Sequence, residues 1–108
     1  MALRKRLFFT TADTTAETVY TNTTGQLTRL ESMTMANAAG AAATNIHLSI
    51  SADSSTTRVL IFPVPAGPTT IIVYPNIVIQ STEILQLSST NTDDVCVVTG
   101  NGSVELVA

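Results

Sequence analysis

The chain has 108 residues, a formal net charge of −3 and only 12% charged residues, against roughly 25% in an ordinary soluble domain. That length makes one domain and buries a core without a metal or disulfide staple. The single cysteine, Cys96, excludes an internal disulfide, and no segment reaches the roughly 20 apolar residues that span a bilayer.

In chain order, residues 1–9 read as an N-terminal arm: Arg4, Lys5 and Arg6 form a basic triplet, followed by Leu7, Phe8 and Phe9. The apolar run stops at Thr10 and Thr11, too short for the core of a secretory signal, so no export is expected. The sequons Asn22-Thr23-Thr24 and Asn101-Gly102-Ser103 carry no meaning without that context. After a polar stretch over 10–16 comes a short strand at 18–21, then a turn over 22–25. Residues 26–37 form a longer strand of broken period. Leu27, Arg29, Glu31, Met33 and Met35 share one parity while Leu30 falls on the other, so a bulge near 29–31 is predicted.

A small-residue turn over 36–43 leads to residues 45–51. There Ile46, Leu48 and Ile50 alternate with Asn45, His47, Ser49 and Ser51, the pattern of a half-buried strand. A polar turn at 52–57, a strand at 58–64 and a rigid connection carrying Pro63, Pro65 and Pro68 follow. Further strands are predicted at 69–74 and, after Pro75-Asn76, at 77–80 and 83–87. Beyond a loop at 88–94 lie strands at 95–99 and 104–107, joined by a tight hairpin at Gly100-Asn101-Gly102. Short strands with turn signals at this spacing predict an all-β chain, an antiparallel β-sandwich or jelly roll of about eight strands without substantial helix. The expected organisation is an arm over 1–9 and one sandwich domain over 10–108.

Chemistry-bearing motifs are sparse. One His and one Cys, His47 and Cys96, are too few for a zinc site and too far apart in sequence to suggest a thiol–imidazole pair. Asp93-Asp94, with Asn91, reads as a solvated loop tip in preference to a calcium loop. The carboxylates Asp13, Glu17, Glu31, Asp53, Glu83 and Glu105 are scattered, and nothing selects a catalytic pair from them. The expectation is a chain without enzymatic activity, cofactor or metal. His47 lies on the polar parity of its strand; if an interface covers it, assembly responds to pH between about 5 and 8.

The wet faces of the strands are built from Thr, Ser and Asn, which another protein covers at low cost. The basic triplet lacks interleaved aromatics, the chain has no Trp, and the body is acidic. An acidic protein neighbour is therefore expected in preference to nucleic acid or membrane. Arg4, Lys5 and Arg6 would orient that contact, and Leu7, Phe8 and Phe9 would anchor it. Each buried apolar side chain is worth ~1.5–3 kcal/mol, against less than about 1 for an exposed ion pair. Deleting residues 1–9 is expected to weaken attachment without unfolding the sandwich.

These segments, in order, resemble a group of short tailed-phage virion proteins. Thr18-Val19-Tyr20-Thr21 is similar to the opening "lyt" strand of those domains. The run ending Met33-Thr34-Met35-Ala36-Asn37 is similar to their "i-x-v-x-N" strand. Residues 77–87 resemble their late hairpin, and Val97-Val98-Thr99-Gly100 with Val104-Glu105-Leu106 resembles their terminus. The resemblance covers residues 16–108. It departs at Thr23-Thr24-Gly25-Gln26, where the family carries P-A-G-K, and at Ser81-Thr82-Glu83, where it carries Gly-Asp.

The resemblance implies a β-sandwich built into a virion, with no enzymatic activity. The expected role is a capsid decoration (cement) protein that stabilises the head by bridging capsid subunits. Its partners would be the major capsid protein or other virion proteins. It would be a homo-oligomer, with a trimer expected from local three-fold positions, assembled in the host cytoplasm and resident on the capsid surface. A neck, head-fibre or tail-fibre component is the alternative. A carbohydrate-binding module is a third reading, thinly supported by Tyr20 and Tyr74.

Overall fold

The computed structural model of the protein describes residues 2–52, 55–90 and 96–106. In chain order the strands are β1 (Ala2–Thr11), β2 (Glu17–Thr21), β3 (Gln26–Asn37), β4 (Thr44–Ala52), β5 (Ser55–Val64), β6 (Thr69–Val73), β7 (Ile77–Ile79), β8 (Ile84–Ser89) and β9 (Cys96–Leu106). No helix occurs among the described residues. The strands form two antiparallel sheets. One has the order β1-β9-β3-β6, with β7 also on β3; the other is β2-β8-β4-β5.

Pro75 and Asn76 interrupt what is otherwise one strand, so β6 and β7 pair with successive stretches of β3. Taken as one, they complete a rolled hairpin: β1 pairs β9, β2 pairs β8, β3 pairs β6 and β7, and β4 pairs β5. This is the jelly-roll topology, a two-layer sandwich.

The core follows from strand alternation. Ile46, Leu48 and Ile50 of β4, Leu85 and Leu87 of β8, Met33 and Met35 of β3, and Val98 of β9 point between the layers and are fully buried. Cys96 belongs to the same cluster. The predicted bulge is present: the β3–β9 register shifts between Leu30 and Ser32. Glu31 is the extra residue, and the shift lets both Leu30 and Met33 reach the core with no exposure.

Two expectations are overturned. The described part of the expected arm, residues 2–9, is no free arm. From Ala2 they form β1, hydrogen-bonded along β9 from Ala2↔Glu105 to Thr11↔Val97, and Phe8 sits in the core. The second correction is linked to the first. Gly100, Asn101 and Gly102 make no hairpin; they lie inside the continuous strand β9. A Cβ on Gly100 would overlap the Phe8 ring, and one on Gly102 would overlap the Arg29 carbonyl oxygen. These glycines are absences of side chain that let β1 and β3 close on β9, which is the other use of glycine in a strand.

Smaller differences concern ends. Strand β8 continues through Ser89, and Pro63 stands within β5, where an edge position tolerates its missing donor. Asp93 and Asp94 lie outside the described residues.

A buried polar node ties the start of β3 to the end of β7. The Asn22 side chain, 1% exposed, donates through Nδ2 to the carbonyls of Gln26 (2.9 Å), Ile79 (3.0 Å) and Gln80 (2.8 Å). Its Oδ1 accepts from the Thr28 hydroxyl at 2.6 Å, which lies 3.0 Å from the Tyr20 hydroxyl. The sequon at Asn22 is thus an internal crosslink, closed to modification in the folded chain.

Candidate partner-binding surfaces

Cross-strand register assigns the outward rows. On the β1-β9-β3-β6 layer, Phe9, Thr99, Thr34 and Ile72 lie in one row. A second row holds Arg6, Asn101 and Ser32, and a third Arg4, Ser103 and Arg29. Cations therefore gather at one end of this face and apolar side chains at its middle. Arg4 pairs with Glu31 at 3.4 Å, and the Arg6 guanidinium lies 5.5 Å from the Phe9 ring centroid. Arg4, Lys5, Arg6, Glu31 and Asn101 help line a shallow concavity of about 350 Å³. The Arg4 side chain is 83% exposed, so its ion pair is screened and adds little stability. The cation–π contact contributes about 0.5–1 kcal/mol at such a site.

The sequence grouped Arg4, Lys5, Arg6, Leu7, Phe8 and Phe9 as one contact. The structure divides them. Arg4, Lys5 and Arg6 are exposed, as is Phe9 at 61%. Leu7 is half-buried against the core, and Phe8 is buried within it. A partner meets the three cations and one ring; Phe8 is unavailable because a register shift between Arg6 and Phe8 turns it inward over Gly100.

On the β2-β8-β4-β5 layer, the outward rows are Ile61, His47 and Ser88, and then Val59, Ser49, Gln86 and Thr18. Gln86 donates from Nε2 to the Thr18 hydroxyl at 3.4 Å. This face carries no charged side chain in those rows. It ends on β5 with Val59 at 56% and Ile61 at 57% exposure. His47 faces outward and is half-buried among these neighbours. Tyr74, beyond the end of β6, is 70% exposed.

Sequence reasoning missed Val59 and Ile61. In Val59-Leu60-Ile61-Phe62 both parities are apolar, so period alone cannot tell the face that enters the core from the one that leaves it. The unbroken run was itself the signal, since a strand apolar on both sides belongs between two apolar neighbours. Leu60 and Phe62 pack on the core, and the alternate pair is left outside.

Among the described residues no group of three or more His, Cys, Asp or Glu side chains is placed to hold a metal ion. Burial raises the Cys96 pKa above its ordinary value, which keeps the sulfur a thiol. His47 faces outward, away from the layer gap that holds Cys96. The arrangement offers two broad faces for contact, one with no charge in its outward rows and one with cations gathered at one end. Compared with known proteins, the sequence matches no family model, and no curated protein matches it.

Proposed function

We propose that the chain is a structural protein of a bacteriophage virion, a capsid decoration protein that stabilises the head by bridging capsid subunits. One observation carries the reading: both outer faces of the sandwich combine hydroxyl and amide side chains with exposed Phe9, Ile72, Val59 and Ile61. The β2-β8-β4-β5 face, with no charged side chain in its outward rows, is inexpensive to dehydrate, because removing neutral polar groups from water costs far less than removing charges. Each apolar side chain covered returns up to ~1.5–3 kcal/mol. The resemblance to tailed-phage virion proteins points the same way.

The contact to the shell is assigned to Arg4, Lys5, Arg6 and Phe9, which share the outward face of β1 and its flank. Cations there suit an acidic neighbour. The test is the copy number per particle in purified virions, read from a stained gel against the major capsid protein. Hundreds of copies are expected. A dozen or fewer would move the protein to the neck or tail, and absence from particles would end the virion reading.

A further inference from the structure

Of the asparagines in this chain, Asn101 alone is followed by glycine. In a free chain the backbone nitrogen of the following residue attacks the asparagine side-chain carbonyl carbon. The attack is fastest where that residue has no Cβ to crowd the approach, a freedom only glycine has. Asn22, Asn45, Asn76 and Asn91 are followed by Thr or Ile, and Asn37 by Ala, and each of these side chains hinders the same step. The fold leaves position 102 no alternative. A Cβ on Gly102 would overlap the Arg29 carbonyl oxygen, so the close approach of β3 to β9 demands the residue that makes Asn101 reactive.

We propose that Asn101 is a latent deamidation site, closed by the sheet in the folded chain and open whenever β9 leaves its neighbours. The proposal is independent of the virion reading. Two features of the structure close the site. The first is the backbone. Ring formation needs the Asn101 side chain and the Gly102 nitrogen on the same side of the Cα–C bond. Asn101 lies inside β9, and an antiparallel strand holds ψ near about +135°, which sets the two groups apart. The second is the ladder. Strand β9 is interior to its sheet: Gly102 stands opposite Lys5 of β1 on one flank and Leu30 of β3 on the other, and Asn101 opposite Arg6 and Ser32. Gly102 is buried, and its N–H faces a neighbouring strand on either flank. The hairpin expected from sequence would have left the same dipeptide in an open turn.

On opening, the Gly102 nitrogen bonds to Asn101 Cγ, the Cγ–Nδ2 bond breaks, and the proton of the attacking nitrogen leaves with Nδ2 as ammonia. Water then opens the five-membered imide at either carbonyl. One cleavage gives aspartate. The other gives isoaspartate, in which the main chain runs through Cβ and Cγ and is one carbon longer. The products differ in what they do to the sheet. Aspartate keeps the strand and places a carboxylate in the outward row beside Arg6. Isoaspartate adds a backbone atom between Gly100 and Gly102. Gly100 lies against the Phe8 ring and Gly102 against the Arg29 carbonyl, and the extra atom breaks the spacing that satisfies both registers. Chains that stay unfolded are thus converted to a form that cannot close β1-β9-β3, and unfolding becomes irreversible through chemistry.

The test holds the full chain in guanidinium chloride and in native buffer at the same mildly alkaline pH and follows each asparagine by peptide mapping and mass spectrometry. In denaturant Asn101 is expected to convert faster than any other asparagine. In native buffer its conversion is expected to slow at least about 100-fold, because the reaction waits on the opening of an interior strand. On dilution of the denaturant, recovery of native circular dichroism is expected to fall in step with the isoaspartate fraction, and the recovered chains are expected to carry asparagine or aspartate at this position. A sample held equally long in denaturant at mildly acidic pH, where base does not activate the attacking nitrogen, is expected to refold fully. Asn101→Ser and Asn101→Gln keep a polar outward side chain and abolish or slow ring closure; both are expected to refold after the alkaline hold. Equal rates at Asn101 in native buffer and denaturant overturn the proposal, as does faster conversion of another asparagine in denaturant. Full recovery of chains bearing isoaspartate also overturns it. So does an equal loss in the acid-held sample or in both variants, which would trace the irreversibility to aggregation.

Discussion

Asn22→Ala tests how far this sandwich depends on one polar side chain. The amide fills hydrogen-bonding needs of four groups: the carbonyls of Gln26, Ile79 and Gln80 and the hydroxyl of Thr28. Truncation leaves the Ile79 carbonyl without this partner in a fully buried position, and the Thr28 hydroxyl, itself at 0% exposure, keeps only Tyr20. The Gln26 and Gln80 carbonyls lie nearer the surface, where water replaces the amide. An orphaned buried polar group costs ~1–3 kcal/mol; one complete loss and one partial loss give about 3 kcal/mol. For a domain of this size that lowers Tm by roughly 15–20 °C.

Urea unfolding followed by circular dichroism measures the change. Thr28→Val, alone and combined with Asn22→Ala, isolates the Asn22–Thr28 term, expected at about 1 kcal/mol of coupling within the range for contacting residues. A loss below about 1 kcal/mol for Asn22→Ala would refute the reasoning. It would mean that water enters the node freely or that the β2–β3 and β7–β8 connections hold without it.

Gly100→Ala is expected to cost about 1–3 kcal/mol by overpacking against Phe8 and to cost much less in a Phe8→Ala background; Gly102→Ala, which meets the Arg29 backbone, is expected to be worse and to gain nothing from that background. Deleting residues 1–9 is expected to abolish cooperative unfolding in a thermal melt, because it removes Phe8, worth ~3–5 kcal/mol on truncation of a core Phe, and strips the β1 ladder from β9. Arg4→Ala is expected to change stability by less than about 0.5 kcal/mol, whereas Arg58→Ala, which loses both the Val78 carbonyl and Glu83 at 3.5 Å, is expected to cost about 1–2 kcal/mol in urea unfolding. Burial raises the Cys96 pKa, so in alkali the unfolded chain sheds its thiol proton first: this contribution is complete below the unfolded thiol pKa of about 8.5 and lost as pH rises through the folded value. Cys96→Ala is expected to flatten the alkaline limb of a stability–pH curve, and thiol labelling of the native protein is expected to speed up with urea.

The sequence by itself determined the class of fold, the number of strands to within one, and the face that enters the core wherever polar and apolar residues alternate strictly, as in Ile46, Leu48 and Ile50. It also determined the bulge at Glu31, because Leu30 and Met33 reach one core only if a residue is inserted between them. Local period carries that information without reference to distant parts of the chain.

Tertiary structure decided what depends on residues remote in sequence. Phe8 and Gly100 are unremarkable apart; together they make a strand of the supposed arm and extend a strand through the supposed hairpin. Asn22 looked like a turn residue until the carbonyls of Ile79 and Gln80 arrived beside it. Which of Val59, Leu60, Ile61 and Phe62 meet water was set by the register of β5 on β4. A run apolar on both parities carries no preference of its own, so packing against the other layer made the choice and left Val59 and Ile61 outside.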